Sequence, residues 1–298
     1  MVYHIPALLK ESIDGLNIRP DGIYVDVTFG GGGHSMEILR RLSTGKLIAF
    51  DQDEDAGLNI PVDKRFLFLD QNFRFLKNNL LFNNINSIDG LIADLGVSFH
   101  QFDEPKRGFT FRQDAHLDMR MNKNGPVTAA HLLKTLDESS LADIFYNYGE
   151  LTNSRRIARE IVTARIVKPL TLVSDLISAV GKLAPFRQEH KFYAKIFQAL
   201  RIAVNHEIDY LKEMLVQALS MLNSHGRLVI ISYHSLEDRV VKNFMKSGNF
   251  EGEEKKDFYG NVETPFRIIN KKGTTPGDEE ISINNRARSA RLRIAEKI

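Results

Sequence analysis

Four aspartates stand at or just past the ends of apolar runs in the first third of the chain: Asp26 in YVDVTF, Asp51 closing KLIAFD, Asp70 closing RFLFLD and Asp94 in SIDGLIADLG. A carboxylate in such a place either caps the helix that follows or accepts hydrogen bonds from hydroxyls and amines of a ligand lying across the strand ends. One such aspartate fits the first role as well as the second. A set of four, each beside a different run, points to the second. The loop TFGGGGHS, Thr28 to Ser35, adds four consecutive glycines between the first run and EILRRL. Glycine is entropically costly to order, and a run of it after a strand lets backbone come close to a nucleotide.

Three nucleotide templates compete for this loop. The phosphate-binding loop G-x-x-x-x-G-K-[ST] fails, because Gly45-Lys46 is followed by Leu47 and Arg40 stands where the first glycine belongs. The dinucleotide pattern G-x-G-x-x-G meets Ser35 when started at Gly30 and Met36 when started at Gly31, so both registers fail. The third template, acid-x-G-x-G-x-G, is the first motif of S-adenosylmethionine sites. Asp26, Gly30 and Gly32 match it, with Thr28 in the first glycine place. In such a site Asp51, about twenty residues beyond the loop, accepts from both ribose hydroxyls. Phe73 and Asp70 flank the adenine, and Asp94 stands close to the transferred methyl.

These residues need elements to hold them. Tyr24–Phe29, Lys46–Asp51, Arg65–Asp70 and Ser87–Gly96 read as four buried strands separated by helix-like segments. That alternation predicts a parallel, doubly wound sheet. From about Asp103 strand character stops for roughly a hundred residues. Helical spacing replaces it, with Leu141, Ile144, Phe145 and Tyr148 and then Ile157, Ile161 and Ala164 on apolar faces. A single long helix is expected over 196–222, then a fifth strand over 226–235. FRIINKK and SARLRIAEK form a terminal antiparallel hairpin around a turn-rich loop. The expected organisation is a core over 1–104, a helical insertion over 105–198 and the rest of the core over 199–298.

The 298 residues, 43% hydrophobic and 26% charged, suffice for a large core. No basic leader precedes a long apolar run, and no segment approaches the ~20 apolar residues of a membrane helix. A cytoplasmic protein with no membrane partner is the expectation. With no cysteine, disulfides, thiolate metal sites and thiol nucleophiles are excluded. No metal is expected. Positive charge is uneven: ten Lys or Arg oppose four acids between Glu150 and Arg201, and five oppose one between Asn284 and Ile298. These segments either attract phosphates or are solvated faces.

The motifs HIPALL, YVDVTFGGGGHS, DGLIADLGVSFHQFD, RGFTF, LDMRM, YGE, FQALRIAVNHE, SYHSLEDRVVK and NNRARSARLRIAEK occur in one order from Tyr3 to Lys297. In that order they resemble the bacterial 16S ribosomal RNA cytosine-N4 methyltransferases, the family called RsmH and formerly MraW. The resemblance implies a class I S-adenosylmethionine-dependent methyltransferase core, a Rossmann-like doubly wound sheet, interrupted by an all-helical domain. It implies methylation of the exocyclic amine of a decoding-centre cytosine in the small ribosomal subunit. Cofactor positions carry over to Gly32, Gly33, His34, Asp51, Phe73, Asp94 and Gln101. The chain departs from the family pattern at Phe99 and in KFYAKIFQALR.

The residues agree with an amine as the target. Methylation at cytosine carbon 5 needs a cysteine nucleophile, and zinc deamination needs a cysteine-bearing metal site. Asp94 is the candidate acceptor for the amine and a catalytic residue. His234 either contacts the base or receives its proton, and the alternative is that Ser235, Glu237 and Asp238 cap the next helix, with Ser235 and Asp238 as a capping-box-like pair. Arg107 and Arg120, the latter oriented by Asp118, meet phosphate or base, or form an interdomain salt bridge. Arg155, Arg156 and Arg159 in the insertion and Arg286, Arg288, Arg291 and Arg293 in the tail grip the RNA backbone, or the tail is only an edge strand. Rival functions are a methyltransferase for a small molecule or protein, a nucleotide-dependent oxidoreductase, and a catalytically silent RNA-binding protein. A monomer and a homodimer are equally compatible with the sequence.

Overall fold

The computed structural model describes residues 6–97, 104–260 and 262–298. Two compact units emerge, one of Met1–Gly96 with Ile208–Ile298 and one of Val97–Glu207. The first is built on a seven-stranded sheet. Strands β1 (Ile23–Asp26), β2 (Lys46–Asp51), β3 (Phe66–Asp70), β4 (Ile88–Asp94) and β5 (Leu222–Ser232) pair in parallel. A two-residue pair, β6 (Lys255–Lys256) and β7 (Val262–Glu263), stands apart from the sheet. The last strands, β8 (Phe266–Ile268) and β9 (Arg291–Lys297), run antiparallel, as the two C-terminal apolar runs predict. The strand order is β3-β2-β1-β4-β5-β9-β8, so the connections diverge after β1 and open a crevice at the carboxyl ends of β1 and β4.

Both faces of the sheet are covered, which explains why its strands read as unbroken apolar runs. Val25, Ile48, Leu91 and Leu228 pack on one face with α3 (Leu76–Phe82), α9 (Glu207–Met221) and α10 (Ser235–Ser247). Tyr24, Leu47, Ile92 and Val229 pack on the other with α1 (Leu9–Leu16) and α2 (Gly33–Arg41). The first strand ends at Asp26, three residues before the end expected from YVDVTF. The Asp26 carboxylate accepts from the Thr28 amide at 3.1 Å and the Ser35 hydroxyl at 2.7 Å, turning the chain out of the ladder.

The second unit packs α4 (Ala129–Thr135), α5 (Glu138–Asn147), α6 (Ser154–Val167), α7 (Val173–Val180) and α8 (Glu189–Asn205) around Leu133, Leu141, Phe145, Ile157, Ile161 and Leu200. Thr128 and Asp137 start α4 and α5 by accepting from backbone amides of the first turns. The single helix expected over 196–222 is two helices, because His206 adopts a left-handed backbone with φ 52° between α8 and α9. The borders expected at 104/105 and 198/199 both fall inside the second unit, the latter within α8. No helix among the described residues is long and apolar enough to cross a membrane.

Candidate functional site

The crevice at the strand ends gathers three carboxylates around the glycine loop. Asp26 is 2% exposed and tied to Thr28 and Ser35. Asp51, at the end of β2, accepts the Gly30 amide at 2.8 Å and the Asp53 amide at 2.9 Å. Asp94, at the end of β4, accepts the Tyr233 hydroxyl on Oδ1 at 2.8 Å, and its amide donates to Thr28 Oγ1 at 2.7 Å. Thr28, the residue in the first glycine place of the motif, thus links the loop after β1 to the end of β4.

None of the three is paired with a cation among the described residues, and their protonation follows. Burial pushes Asp26 and Asp51 up to about 6 and Asp94 up to about 7, against the pull of the hydrogen bonds each accepts. Burial has the opposite effect on the His34 ring, lowering it to about 4. At neutral pH His34 is therefore uncharged, and its Nδ1, 3.9 Å from Asp94 Oδ2, forms no ion pair. The Tyr233 phenol is raised well above its ordinary value by burial and by Asp94, so it stays a hydrogen-bond donor.

This set of acceptors fits S-adenosylmethionine, which brings two ribose hydroxyls, an ammonium and a sulfonium. Desolvated carboxylates lacking a cation are the complement of that ligand. The glycine loop agrees. Gly30 has φ +50°, and a Cβ added there would meet nothing nearer than the Thr28 carbonyl at 4.0 Å, so backbone at this position faces open space. Gly33 serves a different purpose, since a Cβ would lie 2.1 Å from the Pro6 ring. The Gly33 and His34 amides belong to the first turn of α2, where helix geometry leaves donors unpaired and favours a carboxylate. Phe73 is half-buried in the short turn after β3, where the Asn72 side chain donates to the Gln52 side chain at 2.6 Å. Gln101 and Phe99 lie outside the described residues.

His234 stands at the start of α10. Its ring, not Ser235, starts α10: Nδ1 accepts from the Glu237 amide at 3.4 Å and Nε2 lies 3.2 Å from Glu237 Oε1. Glu237 in turn accepts from the Tyr233 amide at 3.0 Å. The expected Ser235 and Asp238 pair is not the cap. Asp238 instead takes the Arg293 guanidinium at 2.6 and 2.9 Å, which buries Arg293 to 7% and withdraws it from the expected grip on RNA. Arg286 and Arg288 stand exposed in the turn before β9.

In the helical unit, the predicted phosphate contacts are largely structural. Arg107 is buried, and its Nη2 donates at 3.0 Å to the carbonyls of Arg120 and Met121. Arg120 and Asp118 form a two-point pair at 2.8 and 2.7 Å, as the orienting role requires, and Arg120 Nη1 also reaches the Gly125 carbonyl at 2.6 Å. Arg159 lies 3.6 Å from Glu138, whereas Arg155 and Arg156 are exposed on α6 without a partner among the described residues.

Sequence reasoning missed Tyr233 and Asn205. Asn205 accepts from the Met121 amide and donates to the Met119 carbonyl, both at 2.7 Å, holding Met119 at φ 61°. LDMRM and FQALRIAVN, separated by some eighty residues, are thus two halves of one clamp. The only signal in the sequence was their co-occurrence. For Tyr233 the signal lay in its place after the fifth strand, but its reach to Asp94 depends on β5 lying beside β4.

A family model described as the MraW methylase family matches residues 1–298. The chain is 56% identical over 297 residues to "Ribosomal RNA small subunit methyltransferase H" of Phocaeicola vulgatus, covering 99% of this chain and 98% of that protein. A protein of the same name from Flavobacterium johnsoniae is 55% identical over 299 residues, covering 100% and 99%. The one from Cytophaga hutchinsonii is 52% identical over 298 residues, covering 99% and 100%.

Proposed function

The chain belongs to the MraW methylase family, S-adenosylmethionine-dependent methyltransferases, and from that membership we propose that it methylates the exocyclic N4 amine of a decoding-centre cytosine in the 16S rRNA of the small ribosomal subunit, in the cytoplasm. The observation that carries the reading is the crescent of carboxylates at the strand ends, Asp26 buried and Asp51 and Asp94 half-buried, with no cation paired to them among the described residues. The names of relatives more than half identical over the whole chain support small-subunit rRNA as the substrate.

S-adenosylmethionine, when bound, supplies an electrophilic methyl on a sulfonium. Asp51 would hold the ribose hydroxyls, the amides of Gly33 and His34 the carboxylate, and Phe73 the adenine. Asp94 does the substrate-side work. The cytosine amine's lone pair is drawn into the ring, and a carboxylate accepting one N–H returns density to nitrogen and aims it. Tyr233 occupies Oδ1 of Asp94, and the Thr28 hydroxyl fixes its backbone, so the carboxylate is held in one orientation. Holding the amine and the methyl group in a near-attack geometry can supply up to about 7–11 kcal/mol. After transfer the amine must shed a proton, and Asp94, the carboxylate proposed to hold that amine, is the group assigned to accept it. His234, committed to its helix start, orders the segment that carries Tyr233. In the helical unit, Arg155 and Arg156 are the side chains we assign to the RNA backbone.

The test is methyl transfer from labelled S-adenosylmethionine to small subunits lacking the modification, followed by mapping of the product nucleoside. N4-methylcytosine at one decoding-centre position is expected. Label in a different nucleoside, or only in protein, would refute the assignment.

A further inference from the structure

A second concavity lies in the same unit, about 400 Å³ in volume, at the start of α10 and beside β9. Its lining includes Arg239, Lys242, Arg291, Ser235, Asn243 and Ser289. The local sequence explains the charge. Along α10, Val241, Phe244 and Met245 are buried, which turns Ser235, Arg239 and Lys242, at helical spacing, toward solvent. The one acid in the lining, Asp238, is already satisfied by Arg293, with Arg291 Nη1 3.7 Å away. Three cations therefore converge on a pocket whose carboxylate is spent elsewhere, and Lys242 is exposed with no partner among the described residues.

A lining of guanidinium, ammonium, hydroxyl and amide groups suits an oxyanion, not an apolar ligand, and the surplus of positive charge disfavours a metal ion. The first turn of the thirteen-residue α10 adds its dipole in the same sense. The pocket also shares a wall with the reaction site. Tyr233 is part of its lining, and the hydroxyl of Tyr233 is the donor to Asp94. A group held here is thus one phenol ring away from the carboxylate that receives the amine.

We propose that this pocket binds a phosphodiester of the RNA substrate close to the nucleotide whose amine meets Asp94. The proposal rests on the reading of function given above. Arg239 and Lys242 hold the phosphate oxygens, and the extruded base is positioned by anchoring its own backbone on the far side of Tyr233.

The experiment measures binding of unmodified small-subunit rRNA to the full-length protein across a salt series, for the parent, Lys242→Gln and the double variant Arg239→Gln/Lys242→Gln. Each lost phosphate contact is expected to lower the slope of log K against log salt by about 0.7–0.9. The KM for RNA of the double variant is expected to rise on the order of tenfold, with S-adenosylmethionine affinity by calorimetry within about twofold of the parent. Lys242 is exposed, so the single variant keeps the fold, and Lys242→Arg should restore the parent slope. A parent-like slope in both glutamine variants overturns the proposal, as does loss of S-adenosylmethionine affinity together with RNA affinity. Weakened binding of free cytidine monophosphate with unaltered RNA binding also overturns it. The slope is read from binding alone, so it decides the pocket even where methyl transfer fails and the functional reading falls by itself.

Discussion

Acidic side chains are treated in opposite ways at the strand ends of the first unit and in the helical unit. At the strand ends, Asp26 is buried and Asp51 and Asp94 are half-buried, all three without cations, and desolvation raises all three. In the helical unit, burial also pushes Asp118 up, but its pair with Arg120 overrides this and holds it below the ordinary range. The Lys168 ammonium does the same for Asp175. Arg201 and Glu207 pair there as well. Charges satisfied within a unit stabilise or orient it. Charges left uncompensated at a concave strand edge mark where an outside group completes the electrostatics.

The largest expected effect tests the uncompensated side. Asp51→Ala removes an acceptor of two ligand hydrogen bonds to a charged group, each worth about 1.5–3 kcal/mol, so S-adenosylmethionine affinity by calorimetry should fall by at least roughly 100-fold. Parent-like affinity would break the comparison at its stronger end. Next comes the satisfied side. Arg107→Ala strips the donor from two carbonyls in a buried setting and should cost about 2–4 kcal/mol in denaturant unfolding. Unchanged stability would show that Arg107 is not the strut its contacts imply.

A smaller effect sharpens the contrast by pH. A carboxyl raised in the folded state imposes no cost below its unfolded pKa and its full cost above its folded pKa. Between pH 6.5 and 8 the Asp94 contribution is still changing, whereas Asp26 and Asp51, near 6, are mostly ionised. His34, neutral in the fold and lowered to about 4, opposes this by about 0.4 kcal/mol, because the unfolded ring is still half protonated at pH 6.5. Ligand-free stability should therefore decline across that window by up to about 1 kcal/mol, and Asp94→Asn should flatten the decline. A stability that rises with pH, or a slope the variant keeps, would discount the buried charge. Smallest of all, Arg155→Ala/Arg156→Ala should alter stability by less than about 0.5 kcal/mol and raise the RNA KM by roughly two- to fivefold. Loss of stability beyond that would mean these arginines support the fold and are not a contact surface.

Much of this was legible in the residues. Apolar runs and glycine turns located β2 to its ends, Lys46–Asp51, and β4 to within a residue or two, because a strand buried on both faces has no polar position to blur it. The break at His206 was not legible, since apolar spacing runs through it and no glycine or proline announces the left-handed turn. The fates of the arginines were hidden for the same reason. Arg107, Arg155 and Arg293 have the same chemistry in the sequence, yet one holds carbonyls, one faces solvent and one is locked to Asp238.

Residue types and their order were enough to determine the doubly wound sheet, the glycine loop, the acidic strand ends and the absence of thiol chemistry, because these depend on local periodicity and composition. Only the tertiary structure decided that Tyr233 anchors Asp94, that Asn205 clamps LDMRM, that His234 caps a helix, and that α10 turns a basic face into a pocket. Each of those is a meeting of side chains distant in sequence or a choice of which helix face is buried, and both are set by strand order and packing.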